Sequence, residues 1–375
     1  MDRCIIAHSS NKLGTAAFND ILAQLENNGE SINPILVLFA SDCSNFGWYS
    51  RMLADCYKGA VVMGMTTEAQ YYGDSFSQTG LTVMAITEGI RVSCGVLCDA
   101  SRFPKRYESE ICEAFMTIGT DINTVCLEFN SSMLPCEEIV MDTFESVIGN
   151  TNVKMCGATA KKGENPERPS AVSLNGVVYN DAAVFAFIHN KNGEIEVIKE
   201  NIFTPTETTF TVTDVDCNMR RVYEFDHMPA AVALAKAMKI TPSEVSKQGF
   251  YHPIGRLKKD DLDVKGIDSI NEDGSIDLYS LLYNQTKVNL LEPVESVPNI
   301  WEDTAKRVHE KIKDPSFSIV LNCNSRTKYF MELGINGDFA RKLHSEYKDY
   351  IGFSADGEQM NYRHLNQTMV MMVFE

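Results

Sequence analysis

The residues best suited to chemistry cluster where hydrophobic runs end. The run FSIVLNC leads directly into Asn324, Ser325 and Arg326. An arginine placed just beyond a buried strand needs an acceptor for its guanidinium. That acceptor is either a ligand carboxylate held bidentately or an internal carboxylate such as Glu358. Cys323, just before it, is either a nucleophile or a buried structural thiol. His252 lies in the loop Tyr251-His252-Pro253-Ile254-Gly255-Arg256. There it either meets a ligand or carries a proton, or it only holds the loop.

Other strand ends are rich in short hydrogen-bonding side chains: Ser41-Asp42, Thr66-Thr67-Glu68, Asn130-Ser131-Ser132, Thr159 and Ser354. Such residues serve as helix caps and turn formers. They also rim ligand sites, because open α/β sheets bind ligands beyond the carboxyl ends of parallel strands, often against helix N-termini. Asn366, Gln367 and Thr368 open the last strand, and their amides either pin a turn or touch a ligand. The candidate ligand-binding set is Arg326, Glu358, Asn366, Ser354, Asn324, His252, Arg256, Thr66, Thr67 and Ser41. If that set binds a ligand, Arg326 would hold its carboxylate, and Glu358 or Asn366 would receive an ammonium group. No GxSxG elbow, P-loop, HExxH or GxGxxG occurs in the chain, so no familiar catalytic constellation is expected.

The elements that would position these groups recur. The stretches VVMGMTTEAQYYGDSFSQTGLTVMAI, VKMCGATAKKGENPERPSAVSLNGVVYNDAAVFAFI and YIGFSADGEQMNYRHLNQTMVMMVF share one plan. Each has an apolar strand with a glycine near its end, small residues, a polar loop and a second apolar strand. Continuous runs such as ILVLFAS read as strands covered on both faces. Between them, 14–27, 46–57, 107–118, 135–148, 299–312 and 334–347 show helical spacing. Strands joined through helices should be parallel, with right-handed crossovers, and the last strand of each unit should be antiparallel. The expected fold is α/β. Repeated strand-helix-strand-helix-strand-strand units form mixed β-sheets covered by helices, with a β-rich insertion. In that insertion, Asp273-Gly274 marks a hairpin turn between two strand-like runs.

Composition bounds the function. The chain has 375 residues and a net charge of -17. No basic run interrupts that acidity, so nucleic-acid binding is not expected. The 11 cysteines are scattered singly with no CxxC pair. This pattern reads as reduced thiols in a cytoplasmic protein rather than a disulfide framework or a zinc site. The N-terminus lacks the pattern of a signal peptide, and no apolar run approaches the ~20 residues of a membrane span.

The chain resembles the FIST proteins of bacterial signal transduction. ILVLFAS, GMTTEA, CGATA and NGVVYNDAAVFAFI are similar to the N-terminal FIST pattern. VTDVDCNMRRVYEFDHMPAAVAL, HPIGR, the DGS hairpin, LNCNSR and IGFSADGEQMNYRHLNQTM are similar to the C-terminal one. The resemblance implies a FIST N-like domain over 1–193, made of units at about 1–88 and 89–193. A FIST C-like domain over 194–375 would hold the β-rich insertion 194–286 and a third unit 287–375. It implies an intracellular sensory module that binds a small polar ligand, an amino acid or similar carboxylate. Because the pattern uses up the chain, output would pass to a separate partner such as a histidine kinase, a chemoreceptor or a cyclic-dinucleotide enzyme. No cofactor is expected on this reading. The alternatives are a haem-binding nitric oxide sensor and an enzyme of unrecognised type that uses His252 or Cys323.

Overall fold

A computed structural model describes residues 3–26, 31–131, 136–161, 169–259 and 261–375. The chain divides into two compact units. One comprises Met1–Lys199, Trp301–Arg363 and Met369–Glu375, and the other comprises Glu200–Ile300 and His364–Thr368. Ser132, Pro135 and most of the loop before Pro169 lie outside the described residues, so the expectations placed on them have no structural counterpart.

Three six-stranded mixed sheets with one strand order make up the first unit, apart from a few strand-end residues (Glu200, Asn201, His364, Leu365 and Thr368) that are grouped with the second. Sheet I runs Cys4–Ser9, Leu81–Ile86, Leu36–Ser41, Val61–Thr66, Val172–Leu174, Val177–Tyr179. Sheet II runs Ile90–Cys98, Ala182–Asn190, Thr124–Asn130, Lys154–Thr159, Glu358–Met360, Arg363–Leu365. Sheet III runs Ile195–Asn201, Thr368–Phe374, Phe317–Cys323, Tyr350–Ala355, Gln70–Tyr72, Ser75–Ser77. In each, the third and fourth strands are parallel, as in Leu36–Ser41 beside Val61–Thr66. The closing strand is antiparallel and sits between the first and third. The expected mixed α/β architecture is therefore the one observed.

Two features differ from the sequence reading. The polar loops after the glycine strands contain short hairpins, and each hairpin joins a different sheet. Gln70–Tyr72 pairs with Tyr350–Ala355, Val172–Leu174 with Val61–Thr66, and Glu358–Met360 with Lys154–Thr159. The strand expected to open the third unit, near Lys287, is Lys287–Pro293, and it pairs with Phe203–Asp216 and Ile254–Lys258 in another sheet. The edge of sheet III is Ile195–Asn201 instead. Alternation along a strand reports which face is buried, not which strand lies beside it.

Helices cover each sheet. Gly14–Leu25 and Phe46–Cys56 bury Phe18, Ile21, Phe46 and Leu53 against Val37 and Phe39 of sheet I. Glu108–Ile118 and Glu137–Ile148 bury Ile111, Val140 and Phe144 against Phe185 and Phe187 of sheet II. Sheet III is flanked by Val297–His309, Asn324–Leu333 and Asn336–Tyr347; Phe330 packs edge to face with Trp301 and Phe339, Trp301 lies tilted against Phe339, and Phe339 meets Tyr71 edge to face. The helix Asn324–Leu333 follows directly on the strand Phe317–Cys323, where helical spacing is not evident in the sequence.

The recurring glycine has a steric cause. Gly64, Gly157 and Gly352 lie beside Phe39, Glu128 and Val320 on the neighbouring parallel strand. A Cβ on Gly64 would fall 2.3 Å from the Phe39 ring, and one on Gly157 would fall 2.5 Å from a Glu128 carboxyl oxygen. On Gly352 it would fall 2.8 Å from Tyr71. Gly64→Ala is therefore expected to destabilise the protein by about 1–3 kcal/mol through overpacking, checked by urea unfolding.

The second unit is an eight-stranded antiparallel sheet running Asp261–Lys265, Ile254–Lys258, Lys287–Pro293, Phe203–Asp216, Arg221–Phe225, Ile276–Leu278, Ile267–Ile270, with Met228–Pro229 beside Arg221–Phe225. The helix Ala230–Met238 buries Ala231, Leu234 and Ala235 against Val212, Val222 and Phe225. Pro229 stands at its N-cap, and the Asp-Gly turn forms with Gly274 at φ 83°. Among the described residues, no helix is long and apolar enough to cross a membrane.

Candidate functional site

The glycine strands of the three sheets end on a shared backbone ring inside the first unit. The Lys161 amide donates to the Thr66 carbonyl at 3.0 Å. The Asp356 amide donates to the Thr159 carbonyl at 2.9 Å, and the Thr159 amide to the Gly357 carbonyl at 2.9 Å. The Ser354 amide closes the ring by donating to the Ala69 carbonyl at 2.9 Å. Thr67 locks the closure through its hydroxyl, which donates toward the Ser354 and Ala69 carbonyls, both at 2.7 Å. The Thr67 amide donates to the Ser41 carbonyl at 3.0 Å.

The ring presents charge at matching positions. Glu68, Lys161 and Asp356 each stand four residues beyond the glycine of their strand. Lys161 Nζ lies 3.1 Å from Glu68 Oε2 and 3.8 Å from Asp356 Oδ1, and Lys328 Nζ lies 3.8 Å from Glu68 Oε2. Asn324 Nδ2 donates to Asp356 Oδ1 at 3.2 Å. The side chains of Lys161, Glu68 and Asp356 keep 19%, 28% and 20% of their exposure, so solvent reaches all three. Burial pushes the Glu68 carboxyl up. Lys161, Asn324 and Lys328 outweigh burial and hold that carboxyl below its ordinary value.

Beneath the ring on sheet III lies a closed polar layer. Ser354 Oγ donates to Asn324 Oδ1 at 3.3 Å and Thr327 Oγ1 at 3.2 Å. Asn322 Nδ2 donates to Thr327 Oγ1 at 2.9 Å, and the Tyr71 hydroxyl donates to Asn336 Oδ1 at 2.7 Å. Burial raises the Tyr71 phenol, while Thr327, the nearby Arg326 charge and Asn322 act against that rise. Arg326 itself is 1% exposed, its guanidinium 4.8 Å from the Phe330 ring centre and 5.5 Å from that of Phe339.

Of the residues expected from sequence, Ser41, Thr67, Ser354 and Asn324 meet at this ring. Thr66 joins it through its carbonyl, while its hydroxyl donates to the Ala171 carbonyl at 3.3 Å and accepts from the Ala171 amide at 3.0 Å. Arg326 lies in the helix that begins at Asn324. Glu358 is fully buried in its hairpin strand, opposite Ala158. Asn366, His252 and Arg256 belong to the second unit. There Ser280 Oγ donates to Asn366 Oδ1 at 2.7 Å, and His252 Nδ1 lies 3.2 Å from the Leu291 carbonyl. Arg256 is exposed on its strand. Cys323 is 4% exposed at the end of a central strand. Among the described residues, no group of three or more His, Cys, Asp and Glu side chains is placed to hold a metal ion. Sequence reasoning missed Lys161, Asp356, Lys328, Tyr71 and Thr327. Alignment of the three stretches on their glycines would have found the first two.

The family model of the FIST N domain matches residues 35–228, more than half of the chain. The chain belongs to the FIST family. That match covers sheet I except its strand Cys4–Ser9, four of the six strands of sheet II and the start of the second unit, and it includes Glu68 and Lys161 of the ring. FIST domains are associated with sensing and signal transduction. No curated protein matches this FIST chain.

Proposed function

We propose that the ring is a sensory site for a small zwitterion, an amino acid or a similar carboxylate. One observation carries this reading. Three matching positions supply one cation and two anions, side by side, partly exposed, on a rigid backbone frame. A ligand carboxylate would take Lys161 and Lys328 from their acidic partners, and its ammonium group would take Glu68 and Asp356. Such an exchange keeps every charge paired, which makes it inexpensive for partly buried groups. Arg326 and Glu358 are the candidates for deeper contacts with the same two ends of the ligand. Binding would tighten the three strand ends together, a change that a separate signalling partner could read.

Thermal-shift screening of the amino acids and small carboxylates tests the proposal. At a hundredfold excess over Kd, a true ligand stabilises by about 2.7 kcal/mol, which for a chain of this size is a shift of a few degrees. Lys161→Met is expected to abolish that shift while changing ligand-free stability by less than about 1 kcal/mol, since the ion pair is partly solvated. The reading fails if no compound shifts the midpoint, or if Lys161→Met responds like the parent protein.

A further inference from the structure

A second candidate site lies away from the ring, at the start of the helix Glu108–Ile118. A cavity of about 400 Å³ is lined by Arg102, Phe103, Pro104, Lys105, Arg106 and Ile139. Its size falls in the range of small-ligand pockets. Although no continuous basic run occurs, Arg102, Lys105 and Arg106 place three cations within five residues of a chain that carries a net charge of -17. Among the described residues, Arg102, Lys105 and Arg106 make no ion pair or side-chain hydrogen bond, and all three are exposed.

Three of the nearby acids accept hydrogen bonds from serines. Asp181 accepts from the Ser101 amide at 3.0 Å and the Ser101 hydroxyl at 2.7 Å. Glu108 accepts from the Ser146 hydroxyl and Glu110 from that of Ser109, both at 2.9 Å. Neither these carboxylates nor that of Asp99 forms an ion pair with the three cations among the described residues, so the cationic rim is open to an external anion. The floor and wall differ in kind: Pro104 is buried, while Phe103 is 56% exposed and Ile139 45% exposed. Phe103 and Ile139 together present an exposed apolar face beside the hollow, which the apolar body of a ligand would cover.

We propose that this cavity binds a nucleoside phosphate, the base against Phe103 and Ile139 and the phosphates on Arg102, Lys105 and Arg106. Guanidinium forks match phosphate oxygens bidentately. An exposed aromatic ring accepts any base by stacking, which contributes about 1–3 kcal/mol per base. The fixed backbone of the turn serves the same end, because Arg102 and Phe103 amides both donate to the Asp99 carbonyl at 2.9 Å. That anchoring sets the two side chains at neighbouring points of the rim before any ligand arrives.

Fluorescence anisotropy with N-methylanthraniloyl ADP on the full chain tests it. Saturable binding is expected, displaced by ADP and weakened by salt. Inorganic phosphate and adenosine should each compete about tenfold less well, because each keeps only one half of the contacts. The double variant Arg102→Ala/Arg106→Ala should weaken binding about tenfold or more, and Phe103→Ala about fivefold or more. All three residues are exposed, so circular dichroism should stay unchanged in the variants. No saturable binding overturns the proposal, as does binding unaffected by the double variant. Phosphate competing as well as ADP also overturns it, since the site would then hold an anion without a base.

Discussion

Glu128→Gln is expected to make the protein more stable, and more so as pH rises. Glu128 sits in the middle of a sheet II strand at 0% exposure, and neither carboxyl oxygen has a hydrogen-bond partner. The matching positions in sheets I and III are Phe39 and Val320, each beside the strand glycine. Glu128 therefore occupies a core position with a group the core does not want. Burial, and then the neighbouring Glu137, push its carboxyl well above the ordinary value of 4.5. In the unfolded chain the carboxyl ionises above that ordinary value, while in the folded chain it keeps its proton. The unfolded state then binds fewer protons, so stability falls as pH rises, by about 1.4 kcal/mol per unit. That loss continues until pH reaches the raised folded value. Glutamine does not titrate, so the gap between variant and parent should widen steadily as pH rises above the ordinary carboxylate range. Urea unfolding at a series of pH values measures the gap. Parallel pH profiles for the two proteins would show that Glu128 does not titrate differently on folding. A stabilising change at an intact core position is the mark of a residue kept for something other than stability.

That residue also shows where sequence reasoning stops. VCLEFN reads plainly as a buried strand, and it is one. Nothing within the hexapeptide says that Glu128 faces the helix side with Phe185, or that Asn130 two residues on follows it there. Both Asn130 side-chain atoms likewise lack a hydrogen-bond partner. Facing is fixed by register, and register is fixed by partners far away in the chain.

The same distinction separates the rest of the fold into what was legible and what was not. Long continuous apolar runs such as LVLFAS and FSIVLNC identify themselves, because a strand covered on both faces must be apolar throughout. The Asp273-Gly274 turn is legible because its chemistry is local. Gln70–Tyr72 and Ser75–Ser77 are three residues each, too short for any period to emerge, and they belong to a sheet whose other strands come mostly from the C-terminal part of the chain. Asn324–Leu333, NSRTKYFMEL, begins with polar residues that read as a strand end and a loop. Those residues are buried (Asn324, Arg326 and Thr327), so the helix turns its polar side inward. The strand-end rim was visible as a set of Ser, Thr and Asn. Its charge cluster was not, since Glu68, which stands there beside Thr67, meets Lys161 and Asp356 only when three distant strands close on one another.

Arg326→Ala is expected to cost about 3–4 kcal/mol of stability. The side chain is among the largest fully buried ones in the chain, and truncation would open a cavity between Phe330 and Phe339. It would also remove a desolvated cation from two ring faces, a contribution of up to about 2 kcal/mol. Arg326→Met keeps most of the volume and should lose only about half as much, which separates packing from charge. Calorimetry of the three proteins gives the ordering. If Arg326→Ala stays within about 1 kcal/mol of the parent, the guanidinium is not part of the aromatic core. This prediction also governs how ligand experiments are read. A ligand response lost in Arg326→Ala alone would be ambiguous, because the variant is weakened before any ligand is added. A response lost in Lys161→Met, with stability kept, assigns recognition to the ring. A response kept in Lys161→Met but lost in Arg326→Met assigns it to the buried layer beneath, where Tyr71, Asn322 and Thr327 already share hydrogen bonds.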